Sequence, residues 1–82
     1  MTSDEIKALL DGHFADAQIE VQSDGYHAQV VIVSPVFEGL NAVKKQQLVY
    51  AALNEKIADG SLHAVNMKLF TPEQWQQQAS NA

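Results

Sequence analysis

Hydrophobic positions along the chain follow two periods, and the change between them divides the chain into elements. A spacing of three and four residues predicts helix, and strict alternation predicts strand. On this basis we expect a helix at 1–15, a hairpin of two strands at 17–34, a helix at 41–59, a strand at 63–69, a helix at 72–78 and a frayed tail at 79–82. The predicted order is αββαβα.

The first helix has a start signal and one apolar stripe. Thr2 and Glu5 are spaced as a capping box, in which each side chain accepts a hydrogen bond from the other residue's backbone N–H. The stripe that should face the core consists of Ile6, Leu9, Leu10 and Phe14. The final helix has a similar start, because Thr71 is followed by proline and, three residues on, by Gln74.

The second strand is predicted to be the centre of the sheet. It follows an Asp-Gly turn at Asp24 and Gly25, and it is apolar at every position from Val30 to Val33. A strand that is apolar on both sides is typical of a sheet interior. The long helix then leads to the third strand, so these two strands should be parallel. We therefore predict one α+β domain of KH-like layout over 1–82, with a three-stranded mixed sheet and helices packed on one face.

Composition excludes several kinds of site. The chain has no cysteine, so it can form no disulfide, thiolate zinc site or self-held iron–sulfur cluster. It contains no nucleophile elbow, P-loop or GxGxxG motif, so we do not expect this protein to be an enzyme. No run approaches the ~20 apolar residues of a membrane span, and no basic leader precedes an apolar stretch. The expected compartment is a reducing cytoplasm.

Three histidines are the candidate metal ligands. His63 opens the third strand on the side of its apolar residues, where it is either a ligand or a partly buried histidine with one hydrogen bond. His27 begins the second strand, and parallel strands would bring both residues to one edge of the sheet, on a shared surface if the register allows it. His13 lies on the rim of the first helix's apolar stripe and is most simply a surface or half-buried side chain.

Nucleic-acid binding has only weak support. The formal net charge of −5 disfavours the binding of a phosphate backbone. The one basic cluster in the sequence is Lys44 and Lys45. The loop GLNA at 39–42 occupies the place of the GXXG loop of KH domains, but Ala42 replaces its second glycine. Two lysines beside a helix start more often form a solvated face than a docking site for nucleic acid.

The chain resembles the BolA-like family, and within it the bacterial IbaG (YrbA) branch. The resemblance covers nearly the whole chain and is most specific at His63-Ala64 followed by Thr71-Pro72-x-x-Trp75. It also includes YHAQVVIVS at 26–34, Phe37-x-Gly39 and Val49-Tyr50. Gln46-Gln47, where many relatives carry arginine–histidine, is similar to the IbaG branch. The SDGY loop lacks the extra histidine or cysteine of some relatives.

The resemblance implies a non-enzymatic accessory of iron–sulfur metabolism, linked to cluster trafficking and stress response. Family members pair with monothiol glutaredoxins of the CGFS type and share a bridging [2Fe-2S] cluster, to which the partner contributes a thiolate and bound glutathione. His63 matches the family's histidine ligand, and His27 is a candidate second ligand. The docking surface would include Lys44, Lys45, Phe70 and Thr71, and a weak homodimer is a further expectation.

The sequence leaves two alternatives open. One is a nucleic-acid-binding transcriptional regulator that uses a KH-like surface. The other is a stress-linked interaction module without metal, consistent with the acidic composition.

Overall fold

The structure, a computed structural model, describes residues 1–80 and confirms the predicted fold class and element order. The elements are α1 (Ser3–His13), β1 (Gln18–Ser23), β2 (His27–Val33), a 3₁₀ turn (Pro35–Phe37), α2 (Ala42–Ala58), β3 (Ala64–Phe70) and α3 (Pro72–Ser80).

The three strands form one mixed sheet in the order β1-β2-β3. β1 and β2 are antiparallel, with Ile19 opposite Ile32, and β2 and β3 are parallel, with Val30 opposite Met67. β2 is therefore central, as its unbroken apolar run predicts.

The core lies between one face of the sheet and helices α1 and α2. Along β2 the buried residues alternate with residues that face away from this core, which is the period of two expected of a pleated strand. Leu62, in the loop before β3, is fully buried and joins the same core. The buried core residues are Ile6, Leu10, Phe14, Ile19, Ala28, Val30, Ile32, Phe37, Val49, Leu53 and Leu62.

Side chains cap all three helices at their N-termini, where backbone N–H groups lack helical partners. Thr2 and Glu5 form the predicted capping box on α1. The Oδ1 atom of Asn41 accepts a hydrogen bond from the N–H of Lys44 at the start of α2 (2.9 Å). On α3, the Thr71 hydroxyl accepts from the N–H of Gln74, and the Gln74 Oε1 atom accepts from the N–H of Thr71.

Most predicted boundaries differ from the structure by one or two residues: α1 begins at Ser3, the hairpin occupies 18–33, and the long helix spans Ala42–Ala58. α1 ends at His13 and not at 15, because Phe14 leaves helical geometry (φ −128°, ψ 84°). β3 spans Ala64–Phe70 and not 63–69, so His63 lies just before the strand. Residues 79 and 80 of the predicted frayed tail continue α3, and 81 and 82 lie outside the described residues. Within residues 1–80, no helix is long and apolar enough to cross a membrane.

Candidate functional site

His63 is held by its backbone at the N-terminal end of β3. Its N–H donates to the carbonyl of Tyr26 (2.8 Å), and the N–H of Ala64 donates to the same carbonyl (3.3 Å). Leu62, immediately before it, is fully buried. The backbone of His63 is thus fixed from both sides, although the residue itself is exposed.

The imidazole of His63 contacts one other ring, that of Tyr26. Their centroids are 4.9 Å apart and the planes are tilted by 39°. Among residues 1–80, the imidazole forms no side-chain hydrogen bond, and 60% of Tyr26 is exposed. The sequence predicts an imidazole at the rim of the core. The structure shows an exposed imidazole that packs against a tyrosine ring.

The turn between β1 and β2 positions both Tyr26 and His27. The Oδ1 atom of Asp24 accepts hydrogen bonds from the N–H of His27 (2.8 Å) and from the N–H of Tyr26 (3.1 Å). These bonds, with that from His27 the stronger effect, lower the pKa of the Asp24 carboxyl. Gly25 has a φ of +108°, a conformation that other residues rarely adopt. The Oδ2 atom of Asp24 lies 3.4 Å from Nδ1 of His27.

His27 and His63 lie at the same edge of the sheet, which we call the histidine edge: the edge at which β2 and β3 begin. The register pairs His27 with Ala64 and not with His63. Because neighbouring residues point to opposite faces, His27 faces away from the core, where it lines a shallow concavity with Gln22 and Gln29. His63 lies on the core side with Tyr26. The structure therefore brings the two backbones together and separates the two side chains.

The four residues predicted for docking lie at the opposite end of β3. Lys44 and Lys45 are in the first turn of α2, and Phe70 and Thr71 end the strand. The six-residue step from Ala64 to Phe70 corresponds to about 20 Å of extended chain. These residues therefore form a region separate from the histidine edge.

Three of these four side chains already have partners within the chain. Thr71 is buried, and its hydroxyl caps α3. The ring of Phe70 packs against that of Trp75, with centroids 5.3 Å apart. The Nζ atom of Lys45 donates to Oε1 of Gln74 (3.3 Å), and Lys44 is exposed. Of the four, Lys44 is the most accessible to a partner.

The other two sequence features have ordinary structural roles. His13 is exposed in the last turn of α1, where a basic side chain suits the helix dipole. In the GLNA loop, Gly39 has a φ of +77°, and Asn41 caps α2.

The donor atoms of the described residues fit a shared metal site better than a complete one. Within residues 1–80, no three His, Asp or Glu side chains are grouped closely enough to hold a metal ion. His63 instead offers one exposed imidazole, whose ring nitrogens have no protein partner in that part of the chain. Such a residue suits a metal whose remaining ligands come from another molecule.

Tyr26 is the residue that sequence reasoning missed. It stands before a strand and, read alone, is an exposed aromatic residue beside a turn. Its role depends on the parallel register, which places it opposite His63. The sequence alone does not give this register, so it holds no signal that pairs Tyr26 with His63.

The element order αββαβα and the three-stranded mixed sheet define a small KH-like α+β domain, and an exposed histidine lies just before its last strand. The chain belongs to the BolA-like protein family, whose sequence profile matches residues 5–74. It is 43% identical to "Acid stress protein IbaG" of Escherichia coli K12 over 75 residues, which cover 92% of this chain and 89% of that protein. The predicted family and its IbaG-like branch are confirmed.

Solved structures agree with this assignment. BolA1 from Arabidopsis thaliana superposes with a TM-score of 0.78 at 30% identity, covering 90% of this chain and 95% of that chain. The BolA domain of SufE1 from the same plant superposes with a TM-score of 0.79 at 26% identity, covering 87% and 92%.

Proposed function

We propose that this protein is a non-enzymatic accessory of iron–sulfur metabolism that binds a monothiol glutaredoxin of the CGFS type. In the complex, His63 serves as a ligand to a [2Fe-2S] cluster that bridges the two proteins. The observation that carries the proposal is the exposed imidazole of His63, which lacks a side-chain hydrogen bond within residues 1–80 in a chain without cysteine.

The ligand count requires a partner. A [2Fe-2S] cluster takes four ligands, usually cysteine thiolates, and this chain has no cysteine to supply a thiolate. The glutaredoxin and its bound glutathione would supply the sulfur ligands. When bound, a cluster with histidine ligation has a higher reduction potential than one held by thiolates alone. The chain's own contribution is to hold an exposed His63 at the histidine edge, with no hydrogen bond to its imidazole from within residues 1–80.

The similarity to IbaG supports the stress-linked part of the proposal, since that relative is named an acid stress protein. The proposal that this chain takes part in cluster trafficking rests on the family resemblance and on the donor set. An accessory role without catalysis agrees with the absence of a catalytic motif from the sequence.

The test is anaerobic reconstitution of the protein with a monothiol glutaredoxin, glutathione, iron and sulfide. Wild type is compared with His63→Ala, and His13→Ala is the matched control, because His13 is also an exposed histidine. We expect His63→Ala to alter the visible absorption and circular dichroism of the bridged complex and His13→Ala to leave both unchanged. A His63→Ala complex with the wild-type spectrum would remove His63 from the ligand set.

Docking is measured separately, in the absence of iron. Lys44 is the accessible candidate contact, and Lys44→Glu should weaken association with the apo-glutaredoxin in a salt-dependent way. Lys7→Glu, on α1, is the control for a change of the same charge. Association that is equal for the two variants would remove Lys44 from the docking surface.

Nucleic-acid binding remains the alternative. It predicts salt-dependent binding of DNA that is lost in the double variant Lys44→Glu/Lys45→Glu. Retardation of duplex or single-stranded DNA by wild type at low salt, and its loss in the double variant, would favour this alternative. No specific contact of the described residues favours it over the shared cluster. The metal-free stress module would be favoured by a complex that forms but holds no cluster.

A further inference from the structure

We infer that Tyr26 is a positioning residue for His63, fixing the direction in which the imidazole is presented to a partner's metal. This inference rests on the proposed function, because it names the residue that prepares the ligand. It is carried by two contacts of Tyr26, one through its backbone and one through its ring.

The backbone contact fixes where the side chain of His63 begins. The carbonyl of Tyr26 accepts hydrogen bonds from both His63 and Ala64, at 2.8 and 3.3 Å. This carbonyl lies one residue before β2, and His63 lies one residue before β3. The pair therefore extends the parallel pairing by one step beyond the regular sheet.

The ring contact limits the rotamers of the imidazole, while the residue as a whole stays exposed. The tyrosine ring lies against His63 with centroids 4.9 Å apart and planes tilted by 39°. The lone pair of an imidazole nitrogen points outward in the ring plane, so a metal approaches the edge of the ring. A tyrosine ring that packs on the face of the imidazole covers part of it without competing with a metal that approaches the edge.

Tyr26 is itself held in place by the hairpin turn. Its N–H donates to Oδ1 of Asp24 (3.1 Å), and the positive φ of Gly25 forms the turn before it. A ligand whose rotamer is already restricted loses less entropy on binding. Side chains that support a metal ligand in this way commonly tune its affinity.

The core does not account for Tyr26. It is 60% exposed and is not among the residues of the main core cluster or the partly buried residues packed against it. Within residues 1–80, its hydroxyl forms no hydrogen bond, so the ring and not the hydroxyl makes the contact with His63. Tyr26→Phe is therefore an informative variant, because it removes the hydroxyl and keeps the ring.

The first experiment is NMR of the metal-free protein. Tyr26→Ala should shift the ring-proton resonances of His63, because the ring current of the tyrosine is lost, and Tyr26→Phe should largely preserve them. Tyr50→Ala, which removes another exposed tyrosine on α2, is the control and should leave them unchanged. Resonances of His63 that are insensitive to Tyr26→Ala would overturn the inference.

The second experiment is the reconstituted complex with monothiol glutaredoxin and glutathione. Tyr26→Ala should weaken the cluster-bridged complex about three- to tenfold, the effect of one aromatic contact, with little change in the cluster-free complex. Tyr26→Phe should restore wild-type behaviour. Equal weakening by Phe and Ala would overturn the ring-contact mechanism. Tyr26→Leu replaces Tyr26→Ala if the alanine variant does not fold.

The same experiment separates the two claims. A His63→Ala complex with the wild-type spectrum contradicts the proposed function. A changed spectrum in His63→Ala together with wild-type behaviour in Tyr26→Ala contradicts the positioning role alone.

Discussion

His27 and His63 lie at one edge of the sheet but on opposite sides of it, because the parallel register pairs His27 with Ala64. This arrangement directs the two imidazoles away from each other and does not favour their binding one metal ion together. We therefore expect His27→Ala to leave the spectrum of the bridged complex unchanged. A shift as large as that of His63→Ala would show that the histidine edge rearranges on binding and that His27 is a second ligand.

The lowered pKa of Asp24 predicts that the hairpin turn loses stability in acid. The carboxylate accepts hydrogen bonds from the backbone of His27 and Tyr26, so the folded state releases the proton more readily than the unfolded state. The stabilisation is complete above the ordinary pKa of about 3.9 and is lost as the pH falls through the lowered value. Glu5 and Asp59 have lowered pKa values and act in the same direction.

Urea denaturation at a series of pH values below about 5 tests this prediction. The free energy of unfolding should fall with pH in wild type and fall less steeply in Asp24→Asn. Asp16→Asn is the control, because Asp16 is exposed and forms no side-chain hydrogen bond within residues 1–80. Parallel pH profiles for wild type and Asp24→Asn would contradict the role of Asp24.

Thr71 should contribute to stability through the cap of α3. Its hydroxyl accepts from the N–H of Gln74 at 3.1 Å, and Thr71→Ala should reduce the free energy of unfolding by about 1 kcal/mol. Thr71→Ser keeps the acceptor and should retain most of this stability. The measurement is urea denaturation at pH 7, and equal losses for the two variants would show that the methyl group, and not the cap, matters.

Leu53 and Leu48 offer a matched test of the core. Both lie on α2, but Leu53 is fully buried and Leu48 is 36% exposed. Leu53→Ala should cost about 2–5 kcal/mol, a large part of the stability of a domain of this size. Leu48→Ala should cost clearly less, about 1 kcal/mol, because the side chain is only partly covered. Similar losses for the two variants would contradict the assignment of the buried face.

The fold could be predicted from the sequence because several local signals agree. The period of the apolar residues identifies each element, and the capping pairs at Thr2 and Thr71 mark helix starts. The apolar run from Val30 to Val33 identifies the central strand. Each signal depends on neighbours within a few residues, which a sequence records directly.

The site was less predictable because it depends on register and burial. The sequence places His27 and His63 at strand starts, but only the pairing of His27 with Ala64 separates their side chains. The contact of Tyr26 with His63 joins residues 37 positions apart in sequence. Thr71 caps α3 as its sequence predicts, but the resemblance also places it in the docking surface, where its buried side chain leaves little for a partner to contact.

The central claim is that His63 is a ligand to a cluster shared with a glutaredoxin. The most direct measurement is the visible circular dichroism of the anaerobically reconstituted complex, recorded for wild type and His63→Ala at equal cluster content. The account predicts a distinct spectrum and a less stable cluster in His63→Ala, with His13→Ala identical to wild type. Superimposable spectra for wild type and His63→Ala would contradict it.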